Sequence, residues 1–305
     1  MWLFIAVLAY FLLAANSLID RYILVKPVSN PIIYSFYVGV LSIFALVFVP
    51  FGFVWPGFSL AGFSLLVGVF FLFTLFIFFK TLRENEASRA IPIIGGFSPV
   101  FVFILSFLFL GERLGWLQIA AFLLLVAGGV LISVKKRDES AELKRFKKYS
   151  LKGLGIAVFS SLLFGIFYVS IKFIFIYQSF ISGFIWTRMG SFFAVFLILV
   201  SSKNRKLIFG AARNLEKKTG ALIIMNKALA GAAFMLINYA IFLGSVTLVS
   251  ALQGIQYIFL LILAVFISII SPEILEERIS KGVVAQKILA VFVIGAGLVV
   301  LSIAS

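Results

Sequence analysis

The chain has 305 residues, of which 63% are hydrophobic and only 12% charged, with a mean hydropathy of +1.21; a soluble domain carries about a quarter charged residues. Ten spans of roughly 20 residues would use about 200 positions, so the composition excludes a sizeable water-soluble domain and leaves an integral membrane protein. Cysteine and histidine are both absent, which excludes disulfides, thiolate or imidazole metal sites and every Ser-His or Cys-His nucleophile, and the +15 net charge is read from where the basic residues lie, as topology and not as nucleic-acid binding.

Apolar stretches predict ten helices, all α. The first runs over 3–20. It begins without a basic leader region and has no small-x-small cleavage site, so it is predicted as a span and not a signal peptide. Tyr10 falls near its centre with Ser17 two turns on along the same face, and Asn16 and Asp20 lie one turn apart on another. Spans two and three cover 31–50 and 58–80. The fourth, 90–110, holds Pro99 in mid-span, whose missing N–H frees the carbonyl of Gly95. Gly95, Gly96 and Ser98 beside it permit close backbone approach, either for packing or so that the carbonyl meets a cation or a substrate amine.

The fifth span is 115–134, followed by a basic loop at 135–152. In the sixth, 153–175, Tyr168 and Lys172 stand one turn apart as a gate or an interfacial anchor. Arg188 lies at the centre of the seventh, 180–200, where an arginine costs on the order of 3 kcal/mol or more. No carboxylate occupies mid-span anywhere. Arg188 must therefore cross-link helices through carbonyls and amides, line a wet cavity, or meet a substrate anion. The eighth span, 222–243, carries Asn238 and Tyr239. In the ninth, 247–271, Gln253, Gln256 and Tyr257 at i, i+3 and i+4 share one face, as cavity lining or as interhelical glue. The tenth is 283–304. The 38 phenylalanines read as lipid-facing bulk.

Every basic residue except Arg113, Lys172 and Arg188 falls in alternate loops on one side. Under the positive-inside rule those loops are cytoplasmic and both termini lie outside. The basic runs at 135–152 and 203–218 read first as solvated topology determinants, with a specific anionic-lipid site as the alternative.

Folding the chain at 135–152 sets "FLFLGERLGWLQIAAFLLLVAGGVLIS" against "ISIISPEILEERISKGVVAQKILAVFVIGAGLVVLS". Each has Glu-Arg (Glu112-Arg113; Glu277-Arg278), then Gln118 or Gln286, with a glycine eleven residues later (Gly129; Gly297). Earlier, "FYVGVLS" matches "TRMGSFF" when Gly39 is set on Gly190. Five helices per half is odd, so the halves insert in opposite senses, as in secondary transporters with a midplane site. The domains are accordingly 1–134 and 153–305, two inverted five-helix repeats around a central cavity, joined by the loop.

The proline-bearing fourth span followed by Leu-Gly-Glu-Arg resembles the EamA-like repeat of the drug/metabolite transporter superfamily, and the resemblance covers both halves. It implies a ten-helix basket whose cavity is lined mainly by helices 1, 3, 4, 6, 8 and 9, moving amino acids, sugars, nucleotides or other metabolites. The second half departs from the pattern around Pro272, and Tyr37 stands where the second half has Arg188.

These features predict a multi-pass cell-membrane transporter, not an enzyme, that moves a small polar or amphipathic metabolite by alternating access. An amino acid or related organic anion or zwitterion fits best. Substrate contacts fall to Arg188, Gln253, Gln256, Tyr257, Asn238, Tyr10, Gly95 and Ser98, with gating or structural roles for Pro99, Tyr168, Lys172, Asn16 and Asp20. No Walker motif is present and no cofactor is implied. Partners are the small-molecule substrate and membrane lipids, with or without a coupling ion, for a monomer or homodimer. The alternatives are an intramembrane enzyme acting on lipid headgroups or prenyl groups, and a non-transporting scaffold or receptor. The enzyme would want clustered acids for magnesium or a histidine base.

Overall fold

The computed structural model describes residues 1–23, 30–84, 87–133, 151–213, 217–270 and 281–304. Ten helices there are long and apolar enough to cross a membrane. They are α1 (Trp2–Ile23), α2 (Pro31–Leu41, continued as a 3₁₀ helix over Ser42–Phe51), α3 (Phe58–Glu84), α4 (Ala87–Leu110), α5 (Trp116–Ser133), α6 (Leu151–Tyr177), α7 (Phe180–Val200), α8 (Lys217–Leu243), α9 (Val246–Ala251, then Gln253–Ile270) and α10 (Lys281–Ala304). A further connecting helix, Ser202–Arg213, lies between α7 and α8. The loop 135–150, Pro272 and the second Glu-Arg pair lie outside the described residues.

Hydrogen bonding explains where these helices begin, end and bend. Asn30 accepts from Ile32 N (3.0 Å) ahead of Pro31 at the first helical position of α2, and Ser245 accepts from Leu248 N (3.0 Å) to open α9. α4 ends at Gly111, whose φ of 66° only glycine adopts cheaply. Glu112 N then reaches back to Ser106 O (3.2 Å) and closes the last turn. Hydroxyls inside the spans return to their own helix, as Ser64 to Leu60 O, Thr74 to Phe70 O and Ser161 to Ala157 O, because a bilayer offers them no water.

Two spans differ from the uniform helices expected. α2 tightens into a 3₁₀ helix after Leu41, and α9 breaks at Leu252, where Ser250 Oγ donates to Thr247 O (2.8 Å) and competes for a ladder carbonyl.

The main packing pairs are α5 with α10, α1 with α8, α4 with α6, and α3 with α7. Replacing helix n by n ± 5 turns α1–α8 into α6–α3 and α4–α6 into α9–α1, and both of these pairs are also packed, whereas the exchange of α3–α7 gives α8–α2, which is not a main packing pair among the described residues. At the antiparallel α5–α10 pair the bonds are reciprocal: Gln118 Nε2 donates to Ala304 O (3.4 Å), and Gln286 Nε2 donates to Leu131 O (2.7 Å). α3 and α7 meet backbone to backbone. A Cβ on Gly68 would stand 1.9 Å from Thr187 O, and one on Gly190 would stand 2.0 Å from Leu65 O. Small residues at such crossings let dispersion forces act where lipid tails remove the hydrophobic drive. α1 likewise turns Ala6, Ala9 and Ala14, all fully buried, into the bundle.

Candidate functional site

The Gly68–Gly190 contact fixes what surrounds Arg188, two residues before Gly190 on α7. Phe71, three residues after Gly68 on α3, places its ring 4.8 Å from the guanidinium carbon. Phe234 of α8 is at 4.0 Å and Phe184 of α7 at 5.4 Å. Arg188 is only 8% exposed. Cation–π contacts are worth about 2 kcal/mol each when desolvated, enough to offset much of the cost of a mid-membrane charge. They satisfy the charge but not the donors. Among the described residues Nε and Nη2 of Arg188 have no hydrogen-bond partner, and a buried donor left unmade costs roughly 1–3 kcal/mol. Nε and Nη2 form one edge of the guanidinium, the fork that pairs two-pronged with a carboxylate or phosphate. Of the three roles open to Arg188, cross-linking through carbonyls is therefore not the one its Nε and Nη2 perform.

Several of the predicted residues gather around this point. Tyr168 of α6 is within electrostatic reach of Arg188, and Tyr10 of α1 is within reach of Tyr168 and Tyr257. Tyr257 of α9 has the Gln253 side chain beside it, one turn back on the same helix. Its hydroxyl lies 2.7 Å from where a Cβ on Gly95 would stand, so the glycine of α4 makes room for the phenol. Asn238 sits one turn beyond Phe234 on α8. Its Nδ2 donates to Phe234 O (2.7 Å), while its buried Oδ1 has no partner among the described residues. Ser98 and Pro99 are buried in α4, which runs unbroken through both Pro92 and Pro99.

Other predicted residues tie helices together. Tyr10 OH donates to Val249 O (2.8 Å) and fastens α1 to the first part of α9. Gln256 Nε2 donates to Ser17 Oγ (3.2 Å), which itself donates to Leu13 O. Gln256 thus turns toward α1, while Gln253 and Tyr257 lie beside each other. Tyr168 and Lys172, one turn apart, serve different places. Lys172 Nζ donates to Ile241 O (2.8 Å) and Gly244 O (2.7 Å), capping the C-terminus of α8, where a cation also complements the helix dipole. Asn16 is buried, and the side chain of Asp20 lies outside the described residues.

Beside Lys172, at the α8–α9 turn, is a polar cluster that sequence reasoning missed. Thr247 Oγ1 donates to Glu112 Oε2 (2.7 Å) and is 2.7 Å from Ser106 Oγ. Ser106 Oγ also donates to Phe103 O (3.1 Å), so the three side chains form one hydrogen-bonded chain anchored on α4. Lys172 is within electrostatic reach of the same carboxylate. The α8–α9 turn is thereby held at both helix ends, by a cation at the carbonyls of α8 and an anion at the first turn of α9. The Gly111 turn aims Glu112 at Thr247. The repeated Glu-Arg pair was the available signal, but the partner, more than a hundred residues away, was not.

A groove of about 340 Å³ between α4 and α5 is lined by Pro92, Ile93, Gly96, Phe97, Val100 and Val130. It offers no polar side chain for a ligand to bond.

Fold and site define a ten-span helical membrane protein with a buried cation whose Nε and Nη2 have no partner among the described residues. The EamA-like transporter family matches residues 1–134, a little under half of the chain, a match consistent with the drug/metabolite transporter superfamily. Among solved structures 24 chains match. One, titled only as the crystal structure of a protein, is 14% identical with a TM-score of 0.66, over 98% of this chain and 94% of its own; that likeness shows the fold. No curated protein sequence matches.

Proposed function

We propose that the protein is a secondary transporter, without enzymatic activity, that carries a small anionic or zwitterionic metabolite such as an amino acid across the cell membrane. Transport proceeds by alternating access between two inverted repeats, 1–134 and 153–305, with the basic loops cytoplasmic. The observation that carries this reading is the buried edge of Arg188, whose Nε and Nη2 have no partner among the described residues, with no mid-span acid to compete for them. A carboxylate or phosphate supplies both acceptors, and the buried Oδ1 of Asn238, one turn beyond Phe234 and without a partner among the described residues, is the acceptor we assign to a donor of the same substrate. The exchange of packing pairs between the halves and the reciprocal Gln118 and Gln286 bonds support the repeat, and the family match supports transport.

The test starts with a thermal-shift screen of purified protein against amino acids, nucleosides, sugars and their phosphates, since a ligand that binds only the folded state raises apparent stability. With the hit in hand, Arg188→Lys replaces the fork by a point charge. The lost charge-assisted hydrogen bond, about 1.5–3 kcal/mol, lowers affinity roughly 10- to 100-fold, and Arg188→Gln lowers it further. Unchanged affinity in both variants together with a lower melting temperature would make Arg188 a structural residue and remove the reading.

A further inference from the structure

We propose that the connecting helix Ser202–Arg213 is an interfacial element that binds anionic lipid headgroups. Of the helices described it has the strongest segregation of apolar from polar residues and the only polar mean composition. One residue, Ser201, separates it from α7, and the extended backbone there (ψ 120°) turns the chain out of the span. Asn204 Nδ2 donates to Ile198 O (3.1 Å) and caps α7 across that turn. The helix therefore begins where the bilayer ends, and it packs on α2 and α7 with Ile208, 1% exposed, on the inner side.

Its outer side presents Lys203, Arg205 and Lys206, all exposed. Among them stands Phe209, 56% exposed, one turn from both Arg205 and Lys206. A solvated charged face gains nothing from a phenylalanine at its centre. A membrane interface does: the ring enters the acyl boundary while the cations meet phosphate, each worth on-site attraction to an anionic leaflet. A soluble polyanion would match the cations and leave the ring in water, so the occupant is lipid.

The chain lacks cysteine, and a Cβ at Gly210 would meet nothing within 4 Å, so Gly210→Cys accepts an environment-sensitive dye on this face. The labelled protein is reconstituted in vesicles of phosphatidylcholine alone or mixed with phosphatidylglycerol, and quenching by neutral acrylamide is measured. The expected result is at least a twofold lower quenching constant in the mixed vesicles. That protection should be lost in K203Q/R205Q/K206Q and in F209S, and kept when Lys135, Lys136 and Arg137 are changed to Gln instead. Equal quenching in the two lipids, or protection that survives K203Q/R205Q/K206Q, overturns the proposal. Protection that F209S leaves intact overturns the role of the ring.

Discussion

The α3–α7 crossing offers a sharp perturbation because both partners are backbone. At Gly68 an added Cβ would lie 1.9 Å from Thr187 O and 2.8 Å from Gly190 Cα, and at Gly190 one would lie 2.0 Å from Leu65 O. Cβ contacts under 3.0 Å essentially do not occur, so either alanine must push the helices apart by roughly 1 Å, with no flexible side chain to yield. Overpacking costs about 1–3 kcal/mol and more where nothing can shift, which places Gly68→Ala and Gly190→Ala at or above ~3 kcal/mol. The apparent melting temperature in detergent should fall on the order of 5 °C or more. Because Phe71 and Arg188 sit beside these glycines, substrate affinity should fall too. Gly231→Ala is the control: nothing lies within 4 Å of its Cβ, and alanine is favoured over glycine in a helix by about 1 kcal/mol, so this variant should melt at or above the wild-type temperature. Wild-type melting of Gly68→Ala and Gly190→Ala would refute the close crossing, and with it the placement of Phe71 against Arg188.

Thr247→Val keeps the shape but leaves Glu112 and Ser106 without their shared hydroxyl, and Lys172→Met uncaps α8. Each should lower stability by about 1–3 kcal/mol and raise the labelling rate of a cysteine placed at Ser245, whereas unaltered labelling would show that this cluster does not close that face. Gln256→Leu removes a single bond between α1 and α9. A loss of about 0.6–2 kcal/mol is expected in a paired melting and titration experiment; unchanged ligand affinity would make Gln256 interhelical glue alone, and weakened binding would keep it among the substrate contacts. Finally, a cysteine at Ser140 should be shielded from an impermeant maleimide in intact cells while one at Ser305 reacts; the opposite pattern would reverse the assigned orientation.

The spans were legible because each is a local property. About 20 consecutive apolar residues bounded by charge cannot leave the bilayer, and their backbone can be satisfied there only as helix. The buried cation was equally plain, since Arg188 is conspicuous in any apolar stretch. Its surroundings were not. Phe71, Phe184 and Phe234 come from three helices and are chemically identical to the exposed Phe4, Phe58 and Phe109 at the rim. In water, burial sorts apolar side chains from polar ones. In lipid a phenylalanine is as well solvated outside the bundle as inside, so hydropathy carries no signal for which ring faces the site. Gln118 and Gln286 could be matched by position, yet that each reaches the far end of the other's helix follows only from how α5 packs on α10. The same holds for Gln253, Gln256 and Tyr257. Helical spacing put them on one face, and only the packed positions of α1 and α4 divide that face, giving Gln256 to Ser17 and Tyr257 to the gap left by Gly95.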